Sequence, residues 1–268
     1  MASPMLGAYF DRIQWGAGTE PTRDTLAALL RAHMEAIPFE NLDVLLGKPV
    51  RLDLDGLVDK LIRARRGGYC FEHTTLFAAV LEELGFRIFR HSARVTLVFP
   101  RREAGRLHMF LTVSLPEGRF VADPGFGGPA AEEPVPLEDR GADGPDGANH
   151  WMARDGGFWV MRTRSAGQTG DAWASTLEED YPVDFVIANH YTSTHPDSPF
   201  RNRLMLSRFT PDGRASVMNR EAAVRRDGET KRFRLADRAH LRAFIQEYLG
   251  FDAPEVEDLR VPLILEWR

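Results

Sequence analysis

Apolar residues recur at helical spacing through the first third of the chain and at strand spacing through the middle. After Thr22, a candidate N-cap, the residues Leu26, Leu29, Leu30 and His33 share one helical face, and Pro38 ends that element. Asp53 is placed to cap a second helix with Leu57, Val58, Leu61 and Ile62 as its buried stripe. A third helix is predicted to start near Cys70, to bury Leu76, Phe77, Val80, Leu81 and Leu84, and to stop at Gly85. Beyond Gly85 the pattern turns to strands at 94–99, 107–113 and 119–122, the first two joined as a hairpin, with a charged tip carrying Arg101, Arg102 and Arg106. Residues 131–149 are rich in Pro, Gly, Asp and Glu and read as an exposed excursion before the sheet resumes at 158–161. Segments 204–209 and 215–218 flank Pro211-Asp212-Gly213 as a hairpin, and Leu241, Phe244, Ile245, Tyr248 and Leu249 stripe a helix opening near Asp237.

The predicted class is α+β. A helical domain spans 1–86, a small curled sheet or β-barrel domain 87–188, and a mixed α/β domain 189–268. The chain has 268 residues, enough for one large domain or two or three fused ones, and 43% hydrophobic content, ordinary for a soluble enzyme. A net charge of −5 argues against nucleic acid as a partner. No apolar run approaches the roughly 18 residues that a membrane span needs. Met1-Ala2-Ser3-Pro4 lacks the basic-then-apolar pattern of an export signal. The single cysteine allows no internal disulfide and suits a reducing, cytoplasmic setting.

That cysteine lies in Arg66-Gly67-Gly68-Tyr69-Cys70-Phe71-Glu72, at the predicted start of a helix, where unpaired N–H groups and the helix dipole favour a thiolate. A thiolate attacks acyl groups, so the local chemistry points to acyl transfer through a thioester. A histidine normally takes the thiol proton and an acid holds the imidazole. His73 lies one turn beyond Cys70; His108 sits in the strand 107–113; Asp123 closes the strand after it. Cys70, His108 and Asp123 form one candidate triad. The residues alone equally allow a core cysteine, a structural histidine and a turn aspartate, while Cys70-x-x-His73 has ligand-like spacing without the second pair that zinc requires, so no metal is expected. Arg66 reads better as a partner of Glu40 or Glu72 than as a phosphate ligand.

Together, the cysteine segment, Pro38-Phe39-Glu40-Asn41-Leu42, and His108 followed by Asp123 and Gly125-Phe126-Gly127 resemble the arylamine N-acetyltransferases, over nearly the full chain. The resemblance implies a helical domain carrying the cysteine, a β-barrel carrying His108 and Asp123, and a third domain closing the cleft, with a triad similar to that of papain-like cysteine enzymes. It also implies ping-pong transfer from acetyl-coenzyme A, a substrate rather than a tightly bound cofactor, to an arylamine, arylhydrazine or N-hydroxyarylamine. Cys70 would be the nucleophile, His108 the proton shuttle and Asp123 its support; Phe39, Phe126 and Phe200 would wall the acceptor site, and Gly127 and Gly128 would admit the coenzyme tail. The same family includes macrolactam-forming amide synthases. A cysteine hydrolase and a non-enzymatic interaction protein are the other readings, and the choice between monomer and homodimer stays open. Thr74 stands where the family commonly has asparagine, Pro124 where a small apolar residue is usual, and the short end at Trp267-Arg268 would leave the coenzyme cleft open.

Overall fold

The computed structural model describes residues 3–165 and 167–267; Met1, Ala2 and Arg268, which enter the reading of the termini, lie outside the described residues. Short polar side chains open the helices. Ser3 Oγ accepts the Leu6 N–H at 3.2 Å to start α1 (Pro4–Ile13), and Thr22 Oγ1 accepts the Thr25 N–H at 3.2 Å to start α2 (Arg23–Ala36). After β1 (Phe39–Glu40) and the single turn α3 (Leu42–Leu45), Asp53 caps α4 (Leu54–Leu57) through the Gly56 N–H at 3.0 Å. A π-wound stretch, Val58–Arg63, continues that helix. Helix α5 (Cys70–Glu83) ends before Gly85, which takes φ +83°. The apolar faces of α1, α2, the π-wound stretch and α5 close into one core with Leu111, Val113, Phe120 and Ala122 of the neighbouring sheet.

That sheet has seven strands: β2 (Arg87–Val95), β3 (Arg106–Leu115), β4 (Gly118–Ala122), β5 (Val135–Pro136), β6 (His150–Asp155), β7 (Phe158–Ser165) and β8 (Gln168–Ser175). Their order is β5-β4-β3-β2-β8-β7-β6, all antiparallel, and the end strands β5 and β6 lie against each other, so the sheet curls into a nearly closed barrel. Alternation along β3 decides what faces where. Leu111 and Val113 join the helical core, while Phe110 enters the barrel with Val121, Met152, Met161 and Trp173.

The remaining elements are α6 (Pro182–Thr194), α7 (Pro199–Asn202), β9 (Met205–Thr210), β10 (Gly213–Met218), β11 (Glu221–Arg226), β12 (Glu229–Arg234), α8 (Arg238–Phe244), which runs on as a π-wound turn, Ile245–Leu249, and the 3₁₀ turns Pro254–Asp258 and Leu265–Trp267. Strands β9 to β12 form an antiparallel meander, and β1, from the first part of the chain, adds to its β9 edge.

Several expectations change. Strand β2 begins at Arg87 and ends at Val95, so residues 96–99 are loop, with Leu97, Val98 and Phe99 exposed. A register shift between Ala93 and Arg94 precedes the last pair with β3, Arg94–Arg106, while Arg94 and Val95 pair with β8 on the other edge. Its first half was masked by Arg87, Arg90 and His91, which break the apolar alternation. The 131–149 excursion is only partly exposed: Ala131 and Val135 are buried, and Val135–Pro136 pairs with β4. Helix α6 and strands β11 and β12 are further elements that the pattern did not resolve. Of the three arginines expected at a solvated tip, Arg102 is exposed, while Arg101 pairs with Asp155 and Arg106, the first residue of β3, with Asp180 at 2.9 Å.

Candidate active site

The turn before Cys70 is built by backbone contact. The Gly68 N–H reaches the Pro38 carbonyl at 3.2 Å, and the Glu40 N–H reaches the Gly68 carbonyl at 2.8 Å. A Cβ on Gly67 would stand 2.0 Å from the Pro38 oxygen, and one on Gly68 2.7 Å from Glu72 Oε2. Gly67 is therefore required by the approach of the 38–40 segment and Gly68 by the Glu72 side chain folded back over the turn. Charged groups lock the turn from beneath. Arg66 binds Glu40 at 2.7 Å, Asp43 at 3.2 Å and Glu255 at 3.2 Å. Glu72, expected as an alternative partner of Arg66, instead takes Lys60 at 2.8 Å and, with its other oxygen, the Tyr69 N–H at 3.0 Å. That second bond caps α5 at its first turn. Burial raises the Glu72 carboxyl, and the Lys60 charge opposes the rise.

Cys70 is the first residue of α5, 3% exposed, with its Sγ 4.0 Å from the Leu107 carbonyl. His108 follows Leu107 on β3 and is also buried. Its Nε2–H donates to Asp123 Oδ2 at 2.8 Å, which leaves Nδ1 as the nitrogen for a proton from the neighbouring Cys70. Burial alone would push the imidazole down; the Asp123 charge and hydrogen bond, followed by Cys70, outweigh it and lift His108 to about 10. The structure thus brings together the three side chains that the sequence singled out. His73 is not a competing partner, because its Nδ1 meets His33 at 2.8 Å and its Nε2 the Pro38 carbonyl at 3.1 Å. Both nitrogens point away from the thiol and are unavailable to zinc as well as to the cysteine.

The aromatic residues cluster around this centre. Phe39 and Phe200, with ring centroids 6.3 Å apart, pack against the cluster containing Cys70, and Phe126 meets His108 edge-on at 5.1 Å. Gly127 adopts φ +70°, and a Cβ there would stand 2.6 Å from the Phe39 ring, so its close neighbour is the chain's own aromatic wall. Gly128 has only ordinary contacts with Phe126 and Leu97. A small cavity behind Phe39 is lined by Met34, Ile37, His73, Pro124, Gly127, Ser207 and Phe209. Gly125 lies against the first turn of α5, where a Cβ would come within 2.7 Å of the Cys70 Cα.

Several supporting residues carried no local signal. The Trp173 indole N–H donates to Asp123 Oδ2 at 3.0 Å, so one carboxylate oxygen receives both ring donors. Asn41 clamps the Phe200 loop, donating to the Phe200 and Arg203 carbonyls at 2.8 and 2.7 Å and accepting the Met205 N–H at 2.9 Å. Ser207 and Arg214, on the five-stranded sheet, hold the Gly127 carbonyl, and Arg214 also takes that of Gly128. Thr74 donates to the Met109 carbonyl at 3.1 Å and so ties the cysteine helix to the strand of His108. Hydrophobic periodicity does not report such partners, since each contact joins distant segments.

Comparison with known proteins agrees with this geometry. An N-acetyltransferase family model matches residues 22–256. An arylamine N-acetyltransferase of Mycobacterium tuberculosis is 39% identical over 259 residues, covering 94% of this chain and 90% of the relative. The solved arylamine N-acetyltransferase of Salmonella typhimurium superposes with a TM-score of 0.87 at 32% identity, covering 94% of this chain and 92% of its own. That of Mycobacterium marinum, solved in complex with CoA, gives 0.86 at 34% identity with 94% of each chain covered. A full-length match in sequence and in architecture leaves one assignment: the chain belongs to the arylamine N-acetyltransferase family.

Proposed function

We propose that Cys70, His108 and Asp123 carry the acetyl transfer of this enzyme from acetyl-coenzyme A to arylamines. The observation that carries the assignment is the buried His108–Asp123 hydrogen bond at 2.8 Å on the strand whose Leu107 carbonyl lies 4.0 Å from the buried Cys70 sulfur. In the first half-reaction His108 holds the thiol proton and the Cys70 sulfur attacks the thioester carbonyl. The tetrahedral adduct collapses, the bond to the coenzyme sulfur breaks, and His108 returns the proton to that sulfur as it leaves. In the second, the amine nitrogen attacks the acetyl-cysteine carbonyl, His108 takes the amine proton, and the amide leaves as the cysteine sulfur is released. Asp123 keeps the imidazole in one orientation and supports its positive charge. The oxyanion falls to the Cys70 N–H at the helix start and a donor from a neighbouring loop.

Phe39, Phe126 and Phe200 wall the acceptor site in this reading, since flat apolar faces suit an aryl amine or hydrazine. Gly127 and Gly128 mark the approach of the coenzyme tail in this reading, since neither carries a side chain there. Boundaries near 86 and 188 divide the chain into helical, barrel and closing domains, with the triad at the junction of the first two. The single free thiol fits a cytoplasmic enzyme acting on xenobiotic amines. No described helix is long and apolar enough to cross a membrane.

Intact-mass measurement tests the assignment. The protein should gain one acetyl group on mixing with acetyl-coenzyme A and lose it when an aniline or arylhydrazine is added, and Cys70→Ala should do neither. Acetylation that persists in Cys70→Ala, cleared by amine, overturns it.

A further inference from the structure

A second buried polar system lies on the other side of α5 from His108 and takes no part in the chemistry above. The Tyr9 hydroxyl of α1 meets His33 Nδ1 of α2 at 3.0 Å; His33 Nε2 meets His73 Nδ1 of α5 at 2.8 Å; His73 Nε2 meets the Pro38 carbonyl at 3.1 Å. Tyr9, His33 and His73 are at most 1% exposed. The direction of every proton follows from the last acceptor. A carbonyl only accepts, so His73 Nε2 bears hydrogen. In a neutral ring its Nδ1 is then bare, His33 Nε2 must donate to it, and His33 Nδ1 must accept from Tyr9. Burial keeps both rings neutral, pushing His73 down to about 4 and His33 well below its ordinary value, and keeps the Tyr9 phenol protonated.

The end point of this relay matters. Pro38 immediately precedes Phe39, and its carbonyl also receives the Gly68 N–H of the cysteine turn. His73 touches the same segment a second time, its ring lying nearly parallel to Phe39, at 15° and 6.4 Å between centroids. Gly127 also lies against the Phe39 ring. We propose that the Tyr9–His33–His73 relay is a positioning device that fixes Phe39 as the aryl-acceptor wall, so that it sets acceptor affinity without serving the acetylation of Cys70. This deepens the acceptor-site reading above and rests on it.

The test separates the two half-reactions. Single-turnover acetylation by acetyl-coenzyme A and steady-state KM for an aniline are measured for wild type, His73→Leu, His73→Gln and Tyr9→Phe. His73→Leu removes the donor to Pro38 and should raise the acceptor KM roughly tenfold, a loss of the size of one buried hydrogen bond, with the acetylation rate within about twofold of wild type. His73→Gln can still donate to Pro38 and should recover most of that loss. Tyr9→Phe leaves the bare His33 Nδ1 without its donor and should raise KM by a few-fold; 15N spectra should show His33 and His73 as Nε2–H tautomers in wild type and in this variant, since the Pro38 carbonyl imposes them, and a mixture at His33 in His73→Leu. Unchanged acceptor KM in His73→Leu and Tyr9→Phe overturns the inference, as does an equal fall of both half-reactions. Wild-type protein that acetylates at Cys70 but never passes the group to an aryl amine overturns the acceptor reading instead, so the two failures are distinguishable.

Discussion

Two buried histidines lie near Cys70, His73 on its own helix and His108 on β3, and their surroundings give them opposite character. His108 faces a carboxylate and a thiol and is lifted to about 10; His73 faces another imidazole and a carbonyl and is lowered to about 4. Burial acts on both rings in the same direction, so the partner decides the outcome. The barrel side of α5 stores a cation for proton transfer, while the helical side holds a neutral ring whose N–H groups fix the backbone. Proximity to a nucleophile is thus a poor guide to catalytic role, since His73 is the nearer in sequence.

The most severe way to break the comparison is to exchange roles by mutation. His108→Gln should lower single-turnover acetylation by about 10³–10⁴-fold, the scale for losing the base of a triad, while His73→Gln should leave it within about twofold. Equal losses, read by rapid-quench mass spectrometry, would erase the distinction. Next in size is Gly67→Ala. Its Cβ would meet the Pro38 oxygen at 2.0 Å, so the 38–40 segment must retreat from the cysteine turn. A loss of about 1–3 kcal/mol in urea unfolding should accompany a fall in acetylation, as overpacking of backbone predicts. Trp173→Phe sharpens the barrel side. It keeps an aromatic ring against Phe110, 4.2 Å away in the native stack, but removes one of the two donors on Asp123 Oδ2. Acetylation should slow by roughly tenfold with little change in acceptor KM, the size of one hydrogen bond to a charged group.

The smallest effects are on stability against pH. His108 is raised on folding, so the stability it contributes is fully present below its unfolded value near 6.5 and is lost as pH rises through about 10. His73 is lowered on folding, so stability is lost as pH falls from near 6.5 toward about 4, where the unfolded chain binds the proton first. Thermal melts should show His108→Gln flattening the alkaline limb and His73→Gln flattening the acid limb. A swap of those limbs would contradict the assigned environments.

Much of this was legible in the sequence because it was local. Caps at Thr22, Asp53 and Asp237, the stripe of α5 and its stop at Gly85, and the hairpin at Pro211-Asp212-Gly213 each sit within a few residues of their cause. The cysteine motif named its own helix start. What stayed hidden is what distant segments do to each other. The full length of β2 was obscured by charges that face other elements, and α6 has apolar residues on its exposed side, among them Val183 and Ile187. Trp173, Asn41 and Arg214 reach the site across 50, 159 and 86 positions of chain. No periodicity encodes such a pairing, and the resemblance supplied the triad, not its supports.

The two-residue strand β1 has a consequence for how the protein comes into being. Phe39 pairs with Ser207 and Glu40 with Leu206, while Arg66 beneath the cysteine turn is partnered by Glu255. A chain emerging from the ribosome presents Cys70 long before any of these partners exists. The aromatic wall gains its strand neighbour only once β9 has left the exit tunnel, and the ion cluster closes later still. Synthesis order therefore delays completion of the thiol's surroundings until residue 255 has been made, a built-in restraint on a nucleophile that would otherwise meet the cell's thioesters half-formed.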